Sequence, residues 1–246
     1  MHIVQALVFL LVFAVAVFLF ARKARQIRRN ILLGRDTALR DHPARRWRNV
    51  LLLALGQKKM FRKPLVAVLH FFVYAGFIII NLEILEIVLD GLLARHRLFV
   101  PVLGGLYPWL IGAFEVLAVL VIIGCAVFLI RRNLLKIPRF RGHDLDGWPR
   151  SDANYILLTE IVLMTLFLTM NTADQVLQTR GLEHYAATGP FLVSGGFTPV
   201  FAGLSTPALV AIERSAWWLH ILGVLAFLNY LPYSKHLHII LSFPNS

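Results

Sequence analysis

Nine histidines occur in the 246 residues, and their placement against the apolar stretches divides them. His2, His42, His96, His143 and His184 fall at the N-terminus or between apolar stretches, where a solvated imidazole is the ordinary case. His70 and His220 fall inside such stretches, and His236 and His238 stand at the end of the last one. An ionisable side chain in hydrocarbon is costly, which makes it a candidate for function. Neutral imidazole carries a ring-nitrogen lone pair of the kind that binds haem iron axially. A single such histidine is more often an interhelical hydrogen bond. Several on two segments point instead to a ligand set.

Spacing sharpens that reading. His220 and His238 are 18 residues apart, about five turns of helix, so on one continuous helix they face the same side at two depths. His236 points about 160° away from that side by the same geometry. Pro232 lies between them and is a place for a kink. Met60 precedes His70 by ten residues, a rise of about 15 Å if helical. A methionine thioether is an axial haem partner that raises the potential. The plainer role for Met60 is an apolar anchor at the start of the segment, and Pro64 removes the hydrogen bond back to residue 60. Carboxylates add to the list: Glu83 and Glu86, Glu115 and Glu160 all lie in apolar stretches. At such positions a carboxylate hydrogen-bonds a quinone head group or relays protons. Glu86 is close enough to the segment end for simple hydration. Asn81 follows His70 on nearly the same helical face and is placed to meet a quinone carbonyl or a neighbouring helix.

Such a constellation needs rigid elements spanning a membrane, and the composition supplies them. Hydrophobic residues make up 58% of the chain, charged residues only 15%, and the mean hydropathy is +0.71. Soluble domains of this size carry about 25% charged residues, and disordered chains are poor in aromatics. Five stretches reach the roughly 20 residues a spanning helix requires. They run about 3–21, 64–89, 108–130, 155–176 and 208–230, without the alternation of a β-barrel. The first lacks a basic leader and a cleavage site, so it reads as a retained helix. The expected fold is all-α, a five-helix integral membrane bundle in one domain. One cysteine, Cys125, allows no intrachain disulfide and no cysteine-ligated cluster, and reads as an inert small apolar residue.

Charge sets the orientation. Segments 22–63 and 131–150 together with Lys235 hold 21 of the 25 Lys and Arg residues; the other connections hold only Arg95, Arg97, Arg180 and Arg214. The basic side is therefore expected to be cytoplasmic, with the N-terminus outside and the C-terminus inside. The net charge of +12 reads as topology and lipid contact rather than nucleic-acid binding. The region around Trp47–Leu55 is amphipathic and suited to the interface. Loop Lys136–Asn154 reads as a docking surface, and the segment Gln178–Pro207 as one that folds back over the outer helix ends. Trp217 and Trp218 are expected in the aromatic belt. Lys59, Arg62, Lys63 and Lys235 cluster where the propionates of an inner haem would emerge, or snorkel to lipid phosphates.

Five spans, an outside N-terminus and ligand positions spaced by 10 and 18 residues on spans two and five resemble the cytochrome b (gamma) subunit of respiratory nitrate reductase. That family places histidine at all four positions and holds two stacked b haems. His70, His220 and His238 match three of them, and Met60 stands at the fourth. The resemblance implies an outer haem between His70 and His220. It implies an inner one between His238 and Met60, with His236 as an alternative ligand or the inner haem absent. The strings GQKKMFRKPLVAVLHFFVY, WPRSDAN, FLTMNTADQVL and LPYSKHLHII are similar, over nearly the whole chain, to the membrane portion of heterodisulfide-reductase-related iron–sulfur oxidoreductases. There a cytosolic domain with cysteine-rich [4Fe–4S] motifs follows; this chain looks like the membrane half, encoded separately or cut from a longer protein. The resemblance implies one or two b haems and a quinone of the menaquinone type, for which Asn81 and Glu83, by their own positions in the second stretch, are the candidate contacts. It also implies a cytoplasmic iron–sulfur subunit or electron-transfer flavoprotein as partner, and a bacterial cytoplasmic membrane. The expected role is the electron-transfer membrane subunit of a quinone-linked oxidoreductase. The rival is a haem-free anchor that docks such a partner; a transporter, which calls for inverted repeats and broken helices, is a weaker third.

Overall fold

In hydrocarbon each backbone N–H and C=O must be satisfied within its own segment, so apolar stretches of this length fold as helices. The computed structural model describes residues 2–34, 42–58, 60–135, 137, 142 and 147–243. In chain order the helices are α1 (His2–Ile31), α2 (Pro43–Asn49), α3 (Pro64–Leu93), α4 (Val100–Leu103) and α5 (Tyr107–Asn133). They continue with α6 (Trp148–Thr179), α7 (Ser194–Ala202), α8 (Thr206–Tyr230) and α9 (His238–Leu241). No strand occurs among the described residues. Five helices, α1, α3, α5 with the preceding turn, α6 and α8, are long and apolar enough to cross a membrane. Each runs beyond the expected limits, because the polar residues after an apolar stretch continue the same helix into the interface.

Helix α6 is the centre. It packs on α5, α7 and α8, while α3 packs on α5 and α1 bridges α3 and α8. The core runs through Ile80, Phe114, Phe167 and Ile221, all buried. Leu7, Leu11 and Phe18 of α1 stay exposed, as a lipid-facing surface would. Small residues allow the closest approaches. A Cβ on Gly223 would lie 2.6 Å from Leu163 Cδ2, and one on Gly91 would lie 2.7 Å from the Phe9 ring. Phe9 also meets Trp217 at 5.6 Å and Trp218 at 6.2 Å. Trp217 is thus a buried core residue rather than a member of an interfacial belt.

Two prolines reshape the expected ligand segments. Helix α8 stops at Tyr230; Leu231–Tyr233 and Lys235–Leu237 are 3-10 turns separated by an extended Ser234. Pro232 lacks the N–H that a continuing helix needs. His238 therefore does not sit five regular turns from His220 on one helix. Pro64 is the first residue of α3, Lys63 before it is non-helical, and Met60–Arg62 is a separate 3-10 turn. Met60 precedes α3 and does not belong to it. The amphipathic segment is helical over Pro43–Asn49 and wider-wound over Val50–Leu55, with Trp47, Leu51 and Leu55 exposed. Lys59, Asp144 and most of 136–146 lie outside the described residues.

The segment after α6 does fold back on the bundle, held by a buried carboxylate. Glu115 of α5 accepts from Asn171 Nδ2 at 3.0 Å, Val193 N at 2.8 Å and Ser194 N at 3.2 Å, and from Ser194 Oγ. Gln175 adds a bond from Phe191 N at 3.1 Å and one to Gly189 O at 3.0 Å. Glu115→Ala would leave several buried donors unpaired, each costing about 1–3 kcal/mol. The expected result is fast amide hydrogen exchange at residues 191–196, with α3 and α5 protected as before.

Candidate functional site

One face of α3 carries His70, Tyr74, Phe77, Asn81 and Ile84 at the three- and four-residue spacing that lines them up. That face borders three adjoining cavities between α3 and α6, the first two closed by the segment after α8 and the third by α8 itself. The largest, about 360 Å³, lies at the basic end and is lined by His70, His236, His238, Lys63, Arg131, Arg132 and Lys235, with apolar α6 residues Ile156 and Leu157. The second, about 200 Å³, holds the other side of His70, His236 and His238, with Met60, Gln57, Tyr74, Phe77 and Glu160. The third, about 60 Å³, lies deeper and is lined by His220, Asn81, Gly76, Phe77, Glu160, Leu163 and Phe227. Phe77 and Glu160 border both of the last two, so the cavities are successive compartments of one cleft.

The structure brings Met60, His70, His236 and His238 around one compartment and sets His220 and Asn81 in the next. Glu83 is buried on α3 and lines none of the three.

Three histidines share one hydrogen-bonding pattern. His220 Nδ1 is 2.9 Å from Leu163 O, His238 Nδ1 is 2.9 Å from Lys235 O, and His70 Nδ1 is 3.0 Å from Gln57 Oε1. A carbonyl oxygen only accepts, so each Nδ1 carries the proton and each Nε2 keeps its lone pair. His220 is fully buried, and its Nε2 has no hydrogen-bond partner. A buried polar atom in that state is costly unless something else satisfies it. The close approach at Gly223 places Leu163 against α8 and sets this tautomer.

His236 rests among the rings of Phe77 at 5.7 Å, Phe227 at 5.2 Å and His238 at 5.8 Å. Burial, then His238, pushes its imidazole down to about 4. It is therefore neutral at neutral pH, and its buried Nε2 lacks a partner. Asp152 fixes the turn carrying these two histidines. Its carboxylate is buried at the start of α6, accepts from Lys235 N at 2.9 Å and takes the Tyr230 hydroxyl. Neither partner is close in sequence, so the sequence reading missed Asp152 even though it falls within the string WPRSDAN.

The end of the bundle away from the basic cavity holds a polar network, also missed. Arg97 reaches Asp174 Oδ2 through Nε at 3.0 Å and Nη2 at 2.9 Å, Asn171 Oδ1 at 2.6 Å and Tyr107 at 3.3 Å. Burial pushes its guanidinium down, but Tyr107, Asp174 and Glu86 outweigh that and hold it well above its ordinary value. His96 pairs with Asp174 Oδ1 at 3.1 Å and packs on His184 at 5.0 Å, so it is not a freely solvated residue. Glu86 is not simply hydrated either. It is 3% exposed and accepts from Tyr107 at 2.8 Å and Phe99 N at 2.9 Å. The available signal was Asp174 within the fourth apolar stretch, which required a cation, and Arg97 is one of few candidates there. Among the described residues no group of three or more His, Cys, Asp or Glu gathers as a metal site.

No family model and no solved structure matches the chain. It is similar to the probable iron-sulfur-binding oxidoreductase FadF of Bacillus subtilis, at 27% identity over 97% of this chain and 32% of that protein. It is also similar to the EtfAB:quinone oxidoreductase of Syntrophomonas wolfei, at 27% identity over 83% of this chain and 28% of that protein. The chain spans about a third of the length of these curated relatives. It is related at low identity to oxidoreductases.

Proposed function

We propose that the chain is a membrane b-type cytochrome that passes electrons between a cytoplasmic iron–sulfur or flavoprotein partner and membrane quinone. The observation that carries the reading is that His70, His220 and His238 all line the cleft with Nδ1–H on an oxygen, and that the buried Nε2 of His220 has no protein partner. That second bond is the usual support of a metal-ligating histidine, since it fixes the ring and raises its basicity. The residues present fit a flat apolar group bearing carboxylates. Aromatic and aliphatic walls would exclude water, and Lys63, Arg131 and Lys235 at the mouth would take the carboxylates. Haem, when bound, supplies one-electron chemistry; the helices supply ligands, a dry setting and fixed distances. His220 would serve one haem. His70, His238, His236 and Met60 border the space for the other ligand positions, and the pairings His70–His220 and His238–Met60 follow the nitrate reductase gamma pattern. Asn81 lines the cavity of His220; its amide gives one hydrogen to Phe77 O and has a second for a quinone carbonyl of the menaquinone type, with Glu83 two residues further along α3.

The relatives' names, one iron–sulfur-binding and one acting between an electron-transfer flavoprotein and quinone, support a partner of that class. With a single cysteine, these 246 residues leave iron–sulfur clusters to a partner subunit or to a further domain. We place the basic end in the cytoplasm of a bacterial inner membrane, N-terminus outside. Cysteines introduced at Asp144 and Pro190 should be labelled from the cytoplasmic and the outer side respectively; the reverse pattern would overturn the orientation. The function is tested by mixing the membranes with a reduced flavoprotein or iron–sulfur donor and with a menaquinol analogue. Both should change the redox state of the chromophore. The protein donor's rate should fall as salt rises and after neutralisation of Lys58, Lys59 and Arg62. A chromophore that exchanges electrons with neither would reject the reading.

A further inference from the structure

Glu83 is 1% exposed, and neither of its carboxylate oxygens has a hydrogen-bond partner. Every other buried carboxylate at that end of the bundle is satisfied: Glu86 by Tyr107 and Phe99 N, Asp90 by Arg97 N at 2.8 Å and Leu98 N at 3.0 Å. An unpaired carboxylate in hydrocarbon is far more costly than the neutral acid, so the group keeps its proton. Its neighbours on the same face of α3 are informative. Ile80, one turn toward the basic end, lines the cavity of His220 and Asn81. Glu86, one turn the other way, and Asp90 beyond it complete a row of carboxylates about 5–6 Å apart at Cβ. Asp90 in turn lines a small crevice of about 30 Å³, with Gln5, Arg95, His184 and Arg214, at the end away from the basic cavity.

We infer that Glu83 is a protonated carboxylic acid that passes protons between the His220 cavity and the Asp90 crevice by way of Glu86. The step is a proton exchange between carboxyl groups and water, with no net oxidation. Arg97 and His96 from the α3–α4 connection, Tyr107 of α5, Asp174 of α6 and Arg214 of α8 face the row. Arg97 is tied by its fork to Asp174 and leaves Glu83 without a donor. This goes beyond the electron-transfer reading. It gives the quinone-facing end of the cleft a route for protons that does not cross to the basic side.

The test is infrared spectroscopy of the full chain in lipid vesicles, which requires neither haem nor quinone and so fails or succeeds independently of the proposed function. At neutral pH the wild type should show a carboxylic-acid C=O band that Glu83→Gln removes and Glu160→Gln leaves. On transfer to D2O that band should shift, and the shift should be about tenfold slower or more in Glu86→Gln and in Asp90→Asn. Gel filtration identifies any variant that has lost its fold; there Asp90→Glu, which retains the carboxylate, replaces Asp90→Asn and should exchange at close to the wild-type rate. Absence of a band assigned to Glu83 would overturn the protonated state. An unchanged exchange rate in folded Glu86→Gln and Asp90→Asn, or a slowed one in Asp90→Glu, would overturn the route.

Discussion

Replacing Arg97 by methionine is expected to lower the unfolding free energy of the detergent-solubilised protein by about 3–5 kcal/mol, the range for breaking a buried ion pair from one side. The side chain of Arg97 is 5% exposed and that of Asp174 fully buried. Removing the guanidinium leaves a buried carboxylate with His96 alone, and strips a donor from Asn171 and from Tyr107. Lysine should not restore the loss, because a point charge cannot reproduce the two-nitrogen fork on Asp174 Oδ2 together with the bond to Asn171. Pairing Arg97→Met with Asp174→Leu should recover much of it, since the pair's cost lies in leaving one charge alone. Denaturant titration with a tryptophan signal measures all four proteins. Single variants within about 1 kcal/mol of wild type would place this pair among surface-like ion pairs.

Substituting His220 by alanine is expected to abolish one b-haem band entirely while the bundle still inserts. The structural loss is one hydrogen bond to Leu163 O, worth about 1 kcal/mol. The ligand loss is total, because among the described residues no other imidazole lines that compartment. His184→Ala, at the other end of the bundle, should leave the spectrum unchanged. Parallel variants settle the pairing. If His70 and His220 clamp one haem, each replacement removes the same band. If His70 works with His238 or His236, as their shared compartment allows, the two replacements remove different bands. An intact spectrum in a folded His220→Ala protein would exclude His220 as a ligand.

Hydrophobic runs of about 20 residues leave a chain one regular option in lipid, so five long helices were legible. His70, His220, Asn81 and Glu83 were legible as singular polar residues within those runs. What spacing could not give was the path of the chain at the two prolines. The interval of 18 residues assumed a regular helix through Pro232, and the interval of ten assumed one through Pro64. At both places the missing N–H ends the regular ladder. Met60 consequently reaches the cleft on a 3-10 turn, and His238 at the start of α9, just after the turn that Asp152 holds through Lys235 N. The network of Arg97, Asp174, Tyr107 and Glu86 was hidden for another reason. Arg97, Tyr107 and Glu86 stand at or near segment ends in sequence; only Asp174, inside the fourth apolar stretch, signals a buried partner, and the packing of α3, α5 and α6 shows where they meet. Glu86 shows this most plainly, as hydration was the natural expectation and two protein donors took its place.

Whether the cleft along α3 and α6 holds haem through histidine Nε2 is tested most directly by the haem content and reduced-minus-oxidised spectrum of the wild-type chain purified from haem-replete cells. A b-type spectrum with one or two haems per chain is expected. A colourless protein that is correctly folded and inserted would contradict it and leave the chain as a haem-free anchor.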